Sequence, residues 1–499
     1  MNRPLLLCAL ASLLPLTSAS AELELGAPFS EHMVVQADRP VPVWGRDAPG
    51  AEVTVRLGDA TASATCDAGG RWRVELPAVE AGGPLAFEAT GTTGVAFADV
   101  LAGDLWWCSG QSNMEWPVAK SDSAAEVAAA PADDRLRLLP VPRAVADEPR
   151  EDVDADWAVA TGDDAQRFSA VALHFGEELR ARTGRPVGLI RAAWGGTRIA
   201  AWVSPERLEA SGEAAAVRER RAADEARYAE RLAAWEAEGR PGKKPDPGGA
   251  RDQHQPSGLH HGMVAPFAGL PVRGVIWYQG ESDSSRPGQY AALFPELVAG
   301  WREGFARPDL PVYFVQLPNF KNADWVAFRE TQRRLAQELE GVGMAVAIDA
   351  GEVDDVHPGD KRTVGERLAR LALADAYGLD VLPGGPRPVA VEVDADEPGV
   401  VRVRFDRVGG GLASSAADGS FPGFEVEDAQ GRVHPATAAV EAEGTLRVRA
   451  EGVERPAAVR YAQAADPDAT LVNSEGLPAG PFVERVPPAA DEAPAATKR

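Results

Sequence analysis

"WWCSGQSNMEWP", residues 106–117, runs from an apolar stretch straight into Gly-Gln-Ser-Asn. Such an ending is either a tight turn between two elements or a place where the Ser112 hydroxyl is held out to attack something. The middle of the chain repeats the pattern. "GLIRAAW" gives way to "GGT" (195–197), "VRGVIWYQ" to "QGESD" (279–283) and "PVYFVQLP" to "NF" (319–320); "GMAVAID" leads shortly to "DDVHP" (354–358). Helical patterns over 166–182, 289–304, 325–340 and 363–377 separate these runs. The last is expected to open on a capping box of Thr363 and Glu366 and to close at Gly378. Short apolar runs alternating with helices predict a mostly parallel sheet covered by helices, an α/β sandwich. Ligands bind such a sheet at the carboxyl ends of its strands, so the polar clusters share one rim.

The flanks differ. "AEVTVRL" and "GRWRVELP" before the rim, and "VAVEVDA", "GVVRVRF" and "TLRVRA" after it, alternate with period two, as antiparallel strands do. The expected organisation is a β-sandwich over 22–100, a central domain over 101–380 and a second β-sandwich over 386–486. A charged helical insertion over 204–250 presents a solvated face, and the Ala/Pro/Glu-rich tail over 487–499 is expected to be disordered. Residues 1–21 have the form of an export signal: Arg3, an apolar stretch too short to span a bilayer, and cleavage after Ala21. The mature protein is therefore expected to be secreted or periplasmic, with no membrane segment. It keeps Cys66 and Cys108, which can pair, although Cys108 suits a buried apolar site. The 499 residues carry a net charge of −24, 75 acidic against 51 basic, which disfavours nucleic acid as a partner. Oligomeric state is not legible.

The rim suits acyl transfer. A serine nucleophile needs a base, and the base an orienting carboxylate. Of seven histidines, His357 is the best base, with Asp354 three residues before it and Asp355 two. Donors for a tetrahedral oxyanion are the N–H of Ser112, that of Gly195 or Gly196, and the Gln279 amide. Met114 stands where a nucleophile elbow needs glycine, so an α/β-hydrolase is not indicated. His254, His260 and His261 cluster but lack the spacing of a metal site, and no cofactor is required. Glu281 and Asp283 also form a carboxylate pair of the kind glycoside hydrolysis uses.

These residues carry a resemblance. "CSGQSNMEWPV", "VGLIRAAWGGTRIAAWVS", "GVIWYQGESD" and "DDVHPGDKRTVGERLA" resemble the catalytic blocks of the sialate O-acetylesterase family of SGNH hydrolases. "FSEHMVVQADRPVPVWGRDAPG" and "GFEVEDAQGRVHPA" resemble its flanking β-domains. The resemblance implies an SGNH-hydrolase-like α/β/α sandwich and a cofactor-free serine esterase acting on an acetylated sugar or glycan. By it, Ser112 is nucleophile, His357 is base, and Gly195 or Gly196 with Gln279 binds the oxyanion, with Glu281 beside them. The acid stays open: Asp354 fits the spacing of SGNH enzymes in general, Asp355 that of sialate esterase relatives. Arg198 is a candidate for a sialate carboxylate. The expected substrate is an O-acetylated sialate, the alternatives being acetylxylan or another glycan, or a non-catalytic glycan-binding role.

Overall fold

The computed structural model describes residues 22–394 and 396–487. The export signal over 1–21 and all but the first residue of the expected disordered tail lie outside the described residues. A mixed α/β fold surrounds a central sheet. Its parallel strands are β1 (Gly94–Gly110), β2 (Asp133–Pro140), β3 (Val187–Ala193), β4 (Gly274–Tyr278), β5 (Val312–Val315) and β6 (Val342–Ala345). They pair in parallel in the order β2-β3-β1-β4-β5-β6. β1 lies where the order reverses, the position at which open α/β sheets hold ligands. β2, "DDRLRLLP", has no counterpart among the sequence-based expectations, because its charged opening masks a short apolar run.

Among the helices are α1 (Ser112–Glu115), α2 (Ala170–Thr183), α3 (Ala214–Ala237), α4 (Pro287–Gly304), α5 (Val326–Glu338) and α6 (Arg362–Asp375). Neighbouring side chains of a strand point to opposite faces, and β1 shows what each face meets. Trp106 packs on Phe175 of α2 with ring centroids 4.9 Å apart, while Trp107 packs on Phe267 and on Phe305 just past α4, each at 5.3 Å. Both faces are thus covered, which is why these strands read as continuous apolar runs. The charged insertion folds as α3, with Ala214, Val217 and Asp224 its buried residues. The capping box expected at Thr363 is not formed. The helix begins one residue earlier, and Asp360 Oδ1 accepts the Thr363 N–H at 3.0 Å.

β1 is 17 residues long and serves two sheets. Its first half pairs antiparallel with Gly82–Thr90 and parallel with Val34–Gln36, and its second half is the centre of the parallel sheet. The boundary expected at 100/101 therefore falls inside one strand, and a single apolar cluster runs from Leu23 to Leu373. Strands between Arg387 and Arg485 pair antiparallel around their own cluster, which includes Val401, Phe424, Tyr461 and Phe482. Cys66 and Cys108 are both buried and unpaired with each other.

Arg329 of α5 joins this last unit to the centre. Fully buried, its guanidinium donates to the carbonyls of Leu317 (3.0 Å), Pro318 (2.5 Å), Ala464 and Ala465 (both 2.8 Å). Arg329→Met leaves these acceptors without their donor and should destabilise the protein by about 2–4 kcal/mol, read as a fall in thermal unfolding temperature.

Candidate active site

β1 ends at Gly110, with φ at +143° and Tyr278 of β4 so close that a Cβ would lie 2.1 Å from the Tyr278 carbonyl oxygen. Only glycine fits both the conformation and the approach. Gln111 continues the contact, its N–H donating to Tyr278 O at 2.9 Å and its Oε1 accepting from Ser282 N–H at 3.2 Å. The chain then turns into α1 with half-buried Ser112 as the first helical residue, whose N–H has no acceptor within the helix.

His357 Nε2 lies 2.9 Å from Ser112 Oγ, across 245 residues of chain. The imidazole stacks on Trp116, centroids 4.6 Å apart and planes inclined by 15°. Burial, and then the Lys361 ammonium, hold its pKa below the ordinary histidine value; Asp355 pulls the other way and Lys120 adds to the lowering. The Asp355 carboxylate accepts the His357 backbone N–H at 2.8 Å but stands 3.9 Å from Nδ1, within ion-pair range and outside hydrogen-bond range. Asp354 does not face the imidazole at all. It is 73% exposed and pairs with Lys321, because the loop turns this residue outward, where an ammonium and water satisfy its charge.

Gly195 packs against the nucleophile: a Cβ there would stand 3.3 Å from Ser112 Cβ. Its N–H donates to Glu115 Oε2 at 2.8 Å and its carbonyl accepts from Gln253 Nε2 at 2.7 Å. Of the two glycines, Gly196 (φ +73°) keeps its N–H free of a partner among the described residues. Gln279 departs from expectation. Fully buried, it donates both amide hydrogens away from the serine, to Thr197 O (3.1 Å) and Asp283 Oδ2 (2.6 Å). It braces the 195–199 loop, which Asp283 also grips through the Ile199 N–H at 2.8 Å, and it has no donor left for an oxyanion.

Glu281 is likewise turned to protein. Oε1 accepts from Asn113 Nδ2 at 2.5 Å, Oε2 is enclosed without a partner, and burial pushes the carboxyl above its ordinary pKa. Asp283 is shifted the same way by burial, so this pair faces protein, contrary to the glycosidase pattern. Arg198 is already matched: Nη1 donates to Asp224 Oδ2 of α3 at 2.8 Å. A guanidinium so held is not the open carboxylate receptor expected of it. Burial holds His254 and His260 near pKa 4, and no three His, Cys, Asp or Glu side chains gather as a metal-binding group among the described residues.

Sequence reasoning missed Glu115, Trp116, Asn113, Lys361 and Asp224. Three of them lie within five residues of Ser112, and Lys361 stands four after His357; proximity to the reacting pair was the available signal. Asp224 had none, since a charge on a long polar helix does not announce which residue it meets.

The description "carbohydrate esterase, sialic acid-specific acetylesterase" fits residues 102–232 and 261–374 of this chain. Mouse sialate O-acetylesterase is 31% identical over 434 residues, which cover 78% of this chain and 80% of that one. The chain belongs to the sialic acid-specific acetylesterase family of carbohydrate esterases. The human sialate O-acetylesterase is 30% identical, with 75% of each chain covered. A crystal structure of a carbohydrate acetylesterase from Xanthomonas citri superposes with a TM-score of 0.80 at 34% identity, covering 93% of this chain and 99% of that one. The residues matched to the family contain Ser112, the 195–198 loop, Gln279, His357 and Lys361.

With Asp354 turned to Lys321, Asp354→Ala should leave kcat/KM for an acetyl ester within about twofold and the unfolding temperature nearly unchanged, since exposed ion pairs contribute little. Steady-state kinetics and a thermal melt check it.

Proposed function

We propose that this esterase removes O-acetyl groups from sugars through an acyl-enzyme on Ser112. The observation that carries the reading is the 2.9 Å contact between Ser112 Oγ and His357 Nε2. His357 takes the hydroxyl proton as Ser112 attacks the acetyl carbonyl, and the carbonyl electrons move onto oxygen. The N–H groups of Ser112 and Gly196 are the donors for that oxyanion. The imidazolium then protonates the departing sugar oxygen, and water, deprotonated by the same imidazole, releases acetate. We read the helix-covered sheet as an SGNH-hydrolase-like α/β/α sandwich and the antiparallel flanks as β-sandwich domains, in an exported protein cleaved after Ala21.

The names of the mouse and human relatives support an O-acetylated sialate as the sugar. One observation favours a second reading, an uncharged acetylated glycan such as xylan: Arg198 is already paired with Asp224. Acetate release from a panel of acetylated sialates and neutral sugars decides between them. A non-catalytic glycan-binding role is disfavoured by the same serine–imidazole contact, and labelling by a serine-directed organophosphate tests it.

Ser112→Ala and His357→Ala should each lower kcat by about 10⁴-fold or more, with the fold intact by circular dichroism. The base must be neutral to act. Because the folded His357 pKa is held below the ordinary value, the acidic limb of kcat/KM should have its midpoint below that of a free imidazole, about pH 6.5. A pH–rate profile on a small acetyl ester reads this limb directly.

A further inference from the structure

Asn113, next to the nucleophile, is fully buried and has both polar atoms of its side chain engaged. Its Nδ2 donates to Glu281 Oε1 at 2.5 Å and to the Val356 carbonyl at 3.0 Å, and its Oδ1 accepts from Lys361 Nζ at 2.7 Å. Three segments that the sheet delivers separately thus meet on one amide: the end of β1, the loop after β4, and the loop that carries His357 into α6. The chemistry above makes no use of it.

We propose that Asn113 and Lys361 are the positioning residues of this site, holding His357 against Ser112 in the role that a carboxylate on Nδ1 would otherwise fill. The proposal rests on the Ser112–His357 reading. The carbonyl that Asn113 grips belongs to the peptide joining Val356 to His357. Asp355 holds the N–H of the same peptide at 2.8 Å, so that peptide plane is fixed from both ends. Trp116 then fixes the plane of the ring. Neither Asp354 nor Asp355 hydrogen-bonds Nδ1, and orientation comes from backbone and stacking instead.

The amide is needed at position 113 because its two sides differ. A carboxylate there would face the buried Glu281 carboxylate and lose the donor to Val356. An isosteric leucine would leave Lys361, Glu281 and the Val356 carbonyl without these partners beside a buried side chain. Lys361, 1% exposed, supplies charge as well as a bond. Burial pulls it down to about 8, with Glu281, Glu352, Asp355 and Asp360 opposing that shift, so it is still charged at neutral pH. The charged groups facing His357 are Lys361 from the start of α6, Lys120 from the segment after α1, and Asp355 from its own loop; the Trp116 ring is the neutral face. Two cations against one anion favour the neutral imidazole at rest. The same field presses the proton taken from Ser112 onward to the departing sugar oxygen, where it completes the alcohol.

The test compares pH–rate profiles on 4-nitrophenyl acetate for Lys361→Met, Lys361→Arg, Asp355→Asn and Asn113→Leu, with circular dichroism and thermal melts on each. Lys361→Met should move the acidic limb of kcat/KM up by about one pH unit and lower kcat about tenfold at unchanged KM. Lys361→Arg, which keeps the charge, should restore the limb. Asp355→Asn should move it the opposite way, to lower pH, and cost less in kcat than Asn113→Leu, for which a loss of about 100-fold is expected. Should Asn113→Leu not fold, the Lys361 pair decides alone. A folded Lys361→Met enzyme with an unmoved limb, or a larger kcat loss for Asp355→Asn than for a folded Asn113→Leu, overturns the proposal. Failure of the underlying reading looks different: Ser112→Ala would then keep its activity.

Discussion

A hydroxyl and an imidazole far apart in the chain can share a proton only if the strands beneath them end at the same level. Here the register does this. Gly110 stands opposite Ala193 on one side and Tyr278 on the other, and the pairs Trp277–Phe314 and Val315–Ala345 carry the same level through β5 to the end of β6, the strand that leads to His357. The Trp194 N–H closes on the Gly110 carbonyl at 3.1 Å, and the Gln111 N–H on that of Tyr278 at 2.9 Å. These bonds level the floor on which Ser112, Gly195 and Gly196 stand. The absent side chain at Gly110 permits it, since any Cβ would wedge β1 away from β4. Every later distance in the site inherits this close approach.

Above the floor the site is braced by buried polar groups. Gln279 and Asp283 lock the 195–199 loop from below, Glu115 pins Gly195 from the side of the nucleophile, and Asn113 ties the histidine loop back to α1. Each spends hydrogen-bonding capacity on protein rather than substrate. That leaves few open donors at the reacting atoms, which suits a small acyl group: an acetyl carbonyl needs only a pair of N–H groups and little space.

The parallel sheet and its rim were legible because strands covered on both faces must be apolar throughout, and the polar cluster after each is abrupt. Ser112 and His357 followed from that placement. What failed was side-chain direction. Spacing put Asp354 and Gln279 near the reacting pair, yet one turns to Lys321 and the other to Asp283, and a loop's twist is not written in its spacing. Arg198 failed for a related reason, since its partner Asp224 comes from an insertion whose composition reads as solvent-facing. The helix start at Arg362 was displaced by one residue because Asp360 offers a carboxylate in the cap geometry before Thr363 has the chance. At the boundary expected at residue 100 the chain shows no turn, because one strand passes unbroken from one sheet to the next.

That shared strand sets which parts of the molecule are interchangeable. The antiparallel unit after Arg387 has its own apolar centre and meets the rest through side chains such as Arg329, so recombination could graft it elsewhere or swap it for a stranger. The strands before residue 100 have no such freedom. Removing them would strip β1 of partners along half its length and open the common core, so the leading sheet and the catalytic centre must be inherited together.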